Sequence, residues 1–134
     1  MVVDASVAVK WVIQEPGTAA AIALRSGMPL LAPDLLIPEC ANILWKKVRR
    51  QELSQAEAQL AARLLQRAQL DLRPTLPLLP LALEMAVRLA HPAYDCTYLA
   101  LAVAENTVVV TADGRFARAA GGHAGWRRRY RHRR

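Results

Sequence analysis

Short apolar runs alternate with segments of helix length along this chain. Apolar runs occupy residues 1–3, 30–32 and 107–110, and a fourth candidate strand spans residues 70–73. Strands of this kind, separated by helices, are typical of a parallel sheet that is buried on both faces. The sequence therefore predicts an α/β fold with a central parallel sheet.

The segments between these runs carry helix signals. Ser54 followed by Glu57 forms a capping-box pattern, and Thr18 is placed to cap an earlier helix. We predict no helix or strand after residue 113. The predicted helices span residues 7–13, 18–25, 36–50, 55–69, 79–89 and 93–105.

The size and composition indicate one domain in the cytoplasm. A chain of 134 residues that is 54% hydrophobic can bury one core but not two. The two cysteines lack zinc-site spacing and are expected in the core. Asp4 and Lys10 interrupt any signal-like start, and Pro77 and Pro80 break the apolar tract at 76–83, which is too short for a membrane span.

The positive charge is concentrated at the end of the chain. The formal net charge is +7, but six of the 18 lysines and arginines lie between residues 127 and 134, and removing them leaves 12 basic against 11 acidic residues. We therefore predict a domain over residues 1–120 and a basic tail over 121–134. Two interpretations of the tail stay open, because like-charge runs either attract RNA or only solvate a terminus.

Four acidic residues stand at the edges of apolar segments: Asp4, Glu39, Asp95 and Asp113. Two of them follow predicted strands, at the sheet edge where ligands bind in parallel α/β folds. Buried carboxylates that converge must be protonated or must bind a cation, and hard oxygen ligands favour Mg²⁺ or Mn²⁺. Taken singly, each acid also has a purely structural interpretation: a helix cap for Asp4 and Asp95, a first-turn acid for Glu39 and a turn residue for Asp113.

Taken together, four segments resemble PIN-domain ribonucleases, and most closely the VapC-type toxins of bacterial and archaeal toxin-antitoxin pairs. The resemblance covers about residues 1–120, and its motifs stand in the family's order. The segments are Val2-Val3-Asp4-Ala5-Ser6-Val7-Ala8-Val9-Lys10-Trp11, Pro38-Glu39-Cys40-Ala41-Asn42, Tyr94-Asp95-Cys96-Thr97-Tyr98-Leu99-Ala100-Leu101-Ala102 and Val110-Thr111-Ala112-Asp113-Gly114-Arg115-Phe116.

The resemblance implies a three-layer α/β/α sandwich and metal-dependent hydrolysis of RNA phosphodiester bonds. It implies that the family's acidic quartet corresponds to the four acids named above, with Mg²⁺ or Mn²⁺ as cofactor. Asp4 and Asp95 are the expected principal ligands, Asp113 a direct or water-mediated ligand, and Glu39 a residue that orients water or joins a second metal. Ser6 and Thr111 correspond to the family's hydroxyl residues, which support carboxylate or phosphate.

The resemblance also implies two protein partners, an antitoxin that inhibits the nuclease and a second toxin copy in a homodimer. Apolar helices at residues 18–26 and 36–69 are candidate surfaces for both. Lys10 and Arg115 are close enough in sequence to the acids to contribute positive charge, but both are expected on the solvated surface. The tryptophans are expected either in the core or stacked on bases: Trp11, Trp45 and Trp126.

Two other function classes are considered. A phosphoryl-transfer enzyme with an aspartyl nucleophile also begins with a strand and an aspartate, but it typically has a second acid two residues later, where this chain has Ser6. A non-catalytic PIN-like module that binds RNA or protein would keep the fold without the reaction. Loss of metal-dependent RNA cleavage on substitution of Asp4 discriminates this module from the nuclease.

Overall fold

All strand pairs in the central sheet are parallel, as the sequence predicts. The structure, a computed structural model, describes residues 1–121. Within these residues the sheet has four strands in the order β3-β2-β1-β4. The strands are β1 (Val2–Val3), β2 (Leu31–Pro33), β3 (Asp71–Arg73) and β4 (Val109–Val110).

Helices connect and cover the strands, which gives the predicted α/β/α arrangement. Short 3₁₀ turns at Leu24–Ser26 and Leu76–Leu78 adjoin two of the helices. In the described part of the chain, no helix is both long and apolar enough to cross a membrane. The helices are α1 (Ala5–Lys10), α2 (Thr18–Ala23), α3 (Leu36–Arg49), α4 (Gln55–Gln66), α5 (Leu79–Leu89), α6 (Ala93–Ala104) and α7 (Gly114–Ala120).

The sheet register places the ends of β1 and β4 side by side. Val2 pairs with Val109 and Val3 pairs with Val110. The amide of Asp4 then donates to the carbonyl of Val110 at 3.3 Å. Because parallel strands end at the same edge of a sheet, the residues that follow β1 and β4 meet there.

Three helices differ from the sequence-based expectation, and the first of them, α1, spans Ala5–Lys10 rather than residues 7–13 because Asp4 caps it. Thr18 does not cap α2, whose N-cap is Gly17 at φ 90° in the left-handed region, a conformation that glycine adopts without steric cost. The Thr18 hydroxyl instead donates to the carbonyl of Ile13 at 2.9 Å and accepts from the amide of Glu15 at 3.0 Å. Helix α7 was not predicted, and it begins because the Asp113 carboxylate caps it.

Lys10 is buried, so the expectation that it lies on the solvated surface is wrong. Its Nζ donates to Glu15 at 3.0 Å and to the carbonyl of Pro16 at 2.9 Å. Lys47 of α3 contacts the other oxygen of Glu15 at 2.8 Å. This paired charge network satisfies the buried ammonium and ties the end of α1 to α3. Arg115 is exposed, as expected.

The core confirms other expectations. Cys40 and Cys96 are buried free thiols. Trp11 is buried, and its indole donates to the carbonyl of Ala21 at 2.8 Å, whereas Trp45 is 53% exposed under the guanidinium of Arg49. Trp126 and the predicted arginine-rich tail beyond Gly121 lie outside the described residues.

Candidate active site

Asp4 joins the end of β1 to the start of α1. Its side chain is the N-cap of α1, and its Oδ1 accepts from the amide of Val7 at 3.2 Å. The same oxygen accepts from the hydroxyl of Ser6 at 2.6 Å. Because the residue is only 4% exposed, these bonds replace most of the water that a carboxylate would otherwise bind.

Ser6 and Thr111 link the β1 end of the site to the β4 end. Ser6 Oγ accepts from the amide of Ala112 at 3.0 Å and lies 3.5 Å from Thr111 Oγ1. Thr111 Oγ1 accepts from the amide of Asp113 at 2.9 Å. The two hydroxyl groups therefore hold Asp4 against the turn that carries Asp113.

Asp113 is the most exposed of the four acids, and it caps α7. Its Oδ1 accepts from the amides of Arg115 at 2.9 Å and Phe116 at 3.4 Å. A carboxylate at a helix N-terminus is stabilised by the free amides and the helix dipole. Asp4 and Asp113 therefore both cap helices, which is the structural alternative that the sequence left open. Both residues also lie at the sheet edge, directly after β1 and close after β4.

The other two acids lie in the first turns of their helices, and each has a ring partner. Glu39 of α3 accepts from the hydroxyl of Tyr98 at 2.5 Å. Asp95 of α6 has its Oδ2 2.6 Å from Nε2 of His91. Both acids are partly buried. Tyr98 lies one turn after Asp95 on α6, so this helix carries one acid itself and holds a second acid, Glu39 of α3, through the Tyr98 hydroxyl.

Burial, and to a smaller extent the charge of a neighbouring acid, raises the pKa of three of the four acids. Burial is the main cause that raises the pKa of Asp4 to about 6, and the charge of Asp95 raises it further against the hydrogen bonds that lower it. Burial and the charge of Asp95 also raise the pKa of Glu39. Burial, and then the charge of Asp113, raise the pKa of Asp95 against the lowering effect of His91. The charge of Asp95 thus acts on Asp4 and Glu39, and that of Asp113 acts on Asp95, although burial is the main cause of each shift.

The donor set suits a hard divalent cation. Within residues 1–121, His91 is the only basic side chain in ion-pair contact with any of the four acids. Carboxylate oxygens under mutual repulsion are the ligands that Mg²⁺ and Mn²⁺ take, and a bound cation would relieve that repulsion. In the same residues, no group of three or more His, Cys, Asp or Glu side chains is already gathered so that it could hold a metal ion. The four acids therefore suit a divalent cation by their carboxylate oxygens and their mutual repulsion, but they do not form a preassembled metal site in residues 1–121.

Sequence reasoning missed His91 and the role of Tyr98. His91 stands in the turn between α5 and α6, outside both helical patterns, so no periodicity marked it. Tyr98 lies inside a motif that carries the family resemblance, but its contact with Glu39 crosses 59 residues of sequence. A signal for His91 was available in its spacing, four residues before Asp95.

Comparison with known proteins agrees with this fold. A sequence profile described as the PIN domain matches residues 1–122. The chain belongs to the PIN-domain family. PIN domains are typically metal-dependent nucleases.

A solved structure shows the same fold. The crystal structure of PAE2754 from Pyrobaculum aerophilum is similar to this chain with a TM-score of 0.71 at 24% sequence identity. The similarity covers 95% of this chain and 88% of the other. No curated protein matches the chain significantly.

The buried Asp4 carboxylate predicts a stability change with a definite sign. The pKa of Asp4 is about 6 in the folded chain, against an ordinary value of 3.8. The folded state therefore binds more protons than the unfolded state between these pH values, and the free energy of unfolding falls as pH rises through about 6. Asn keeps the cap but cannot ionise. Asp4→Asn should therefore raise the metal-free unfolding free energy at pH 7 by about 1–3 kcal/mol, since one pKa unit is worth about 1.4 kcal/mol. The gain should vanish near pH 3.5.

Chemical denaturation with a chelator present, at pH 3.5 and pH 7, measures this effect. Asp71→Asn is the control, because Asp71 is exposed and the hydrogen bond from Arg73 lowers its pKa, so its loss should not stabilise the chain at pH 7. An Asp4→Asn variant that is less stable than wild type at pH 7 would show that the carboxylate is not strained in the fold.

Proposed function

We propose that this chain is a metal-dependent endoribonuclease that hydrolyses RNA phosphodiester bonds and acts as the toxin of a toxin-antitoxin pair. The observation that carries the proposal is the geometry at the carboxyl edge of the sheet, where Ser6 bonds to Asp4 and also to the turn that carries Asp113. The charge of Asp95 acts on the same group, since it contributes to the raised pKa of Asp4. Membership of a family of nucleases supports the reaction class. The resemblance to VapC-type toxins supports the biological role.

The proposed ligands are Asp4 and Asp95, with Asp113 contributing directly or through water. Bound Mg²⁺ or Mn²⁺ would neutralise the phosphate charge, lower the pKa of a bound water and stabilise the leaving oxygen. Ser6 holds the Asp4 carboxylate in place through its 2.6 Å hydrogen bond. Tyr98 fixes Glu39, which then orients the attacking water or joins a second metal site. The protein mainly orders its carboxylates before RNA binds.

Asp95→Asn tests the reaction. Asparagine keeps the shape and removes the charge that couples the group, so we expect metal-dependent cleavage of unstructured RNA to fall by at least about 100-fold, in keeping with the loss of a metal ligand. Glu105→Gln is the matched control, because this acid pairs with Arg73 on the surface. Gel analysis of labelled RNA with Mg²⁺ or Mn²⁺ measures the rates.

The same assay separates the two function classes. Cleavage by Asp95→Asn at the wild-type rate would contradict the assigned ligand role. RNA binding by the wild type, without cleavage in either metal, would instead identify a non-catalytic binding module.

We also propose a homodimer that forms through α5. The 3₁₀ turn before α5 and one face of the helix expose four aliphatic side chains, and three of them recur at a spacing of four residues. Glu84 and Arg88 form an ion pair beside this face. A two-fold pairing of the same face on two copies would remove this stripe from water. The exposed residues are Leu76 (79%), Leu79 (60%), Leu83 (57%) and Val87 (76%).

A double substitution, Leu83→Glu with Val87→Glu, should break the dimer, because like charges would face each other across the two-fold axis. Sedimentation should show the wild type at twice the chain mass of 14.8 kDa and the variant at the chain mass. Met28→Glu is the control, since Met28 is equally exposed but lies in a loop. A wild type that sediments as a monomer would contradict the dimer.

For the antitoxin we propose the surface formed by α3 and α4. A cavity of about 590 Å³ opens between these helices, α1 and β3, and none of the four acids lines it. Ile37, Trp45, Leu60 and Leu64 are each 45–55% exposed on these two helices. Arg49 and Arg63 are exposed beside them. The surface therefore fits an amphipathic segment with apolar anchors and acidic flanks.

The partner to test is any small protein that is encoded immediately beside this gene. Co-expressed with it, the wild type should co-purify as a complex, and Trp45→Glu with Leu60→Glu should release the partner, because both changes place charge on the apolar surface. Met28→Glu again serves as the control. If the double variant retains the partner fully, the antitoxin binds elsewhere.

A further inference from the structure

We propose that His91 is a positioning residue, which fixes the Asp95 carboxylate for cation binding and connects it to the helix that carries Asp113. The proposal rests on the nuclease function proposed above. It concerns a residue outside the acidic quartet and outside the motifs that carry the family resemblance.

The hydrogen bond between His91 and Asp95 uses one carboxylate oxygen. Nε2 of His91 lies 2.6 Å from Oδ2 of Asp95. Among residues 1–121, no side chain or amide donates to the other oxygen, Oδ1, within hydrogen-bond distance. A carboxylate with one oxygen held by an imidazole N–H and the other free has the arrangement of an oriented metal ligand.

The imidazole is held from several sides before any ligand binds. Its side chain is only 8% exposed, against 27% for that of Asp95. Ala90 ends α5 in the left-handed conformation, and the amide of His91 donates to the carbonyl of Ala86 at 3.2 Å. Pro92 follows and is the N-cap of α6. The backbone that carries the ring is thus restricted on both sides.

The ring also contacts the helix of another acid. The His91 and Phe116 rings meet edge to face, with centroids 5.5 Å apart and an interplanar angle of 66°. Phe116 is buried in the first turn of α7, and its amide donates to Asp113 at 3.4 Å. His91 therefore spans the gap between the two acid-bearing helices α6 and α7. A surface ion pair would show neither this burial nor this second contact.

Two substitutions separate the donor from the bulk of the ring. His91→Leu keeps an apolar side chain against Phe116 and removes the donor, whereas His91→Gln retains an amide donor of similar reach. Ala61→Gly in α4 is the matched control for stability, because it weakens a buried position in a helix that carries none of the four acids. Melting temperatures without metal establish that each full-length variant folds.

Calorimetric titration with Mn²⁺ is the main measurement, and cleavage of unstructured RNA is the second. His91→Leu should weaken Mn²⁺ binding by about 10–100-fold, the usual effect of losing a hydrogen bond to a metal ligand. It should lower kcat and leave KM for RNA within about twofold, since a positioning role acts on the transition state rather than on substrate binding. His91→Gln should recover most of the Mn²⁺ affinity, and Ala61→Gly should match wild type.

The outcomes distinguish this inference from the proposed function. Wild-type binding and cleavage with an unchanged His91→Leu variant would overturn the positioning role alone. Equal losses in the Leu and Gln variants, or tighter Mn²⁺ binding by either, would also overturn it, because the donor would then not be what matters. A wild type that neither binds Mn²⁺ nor cleaves RNA would overturn the nuclease function, and with it this inference.

Discussion

The burial of one carboxylate, that of Asp4, sets the conditions for the rest of this fold. Asp4 directly follows the central strand β1, so its backbone cannot leave the sheet core. Its charge must then be balanced by hydrogen bonds, by protonation or by a cation. The amide of Val7 and the hydroxyl of Ser6 supply the bonds. Because Ser6 also accepts from Ala112, satisfying Asp4 connects β1 to the turn after β4.

Helix α6 is the second support of the site. Its residues 96–102 are all buried, and the helix packs on β1, β2, β4 and α5. A helix so enclosed has little freedom to shift, which makes it a rigid base for the side chains at its exposed N-terminal end. Asp95 lies in its first turn, and its charge contributes to the raised pKa of Asp4, while the buried Tyr98 donates to Glu39. The coupling among the acids is thus a consequence of how α6 is packed.

The charged side chains of this protein form two different arrangements. Two lysines and two glutamates form a paired network whose charges compensate one another, and it joins α1 to α3: Lys10, Glu15, Lys47 and Glu52. The acids at the sheet edge have no comparable compensation among the described residues, apart from His91. The first arrangement stabilises the fold, whereas the second keeps carboxylates available at a cost in stability. Lys10 was misassigned to the surface because the sequence shows a lysine but not its partner.

The sequence by itself determined the parallel α/β class, the positions of the strands and most helices, and the four candidate acids, because these depend on local hydrophobic pattern and on motif order. It did not determine α7, whose cap is a single side chain, or the start of α2, where a glycine in the left-handed conformation replaces a threonine cap. Only the tertiary structure decided which groups surround each acid. Contacts such as Tyr98 with Glu39 and His91 with Phe116 depend on how helices pack, and packing joins residues that no local pattern relates.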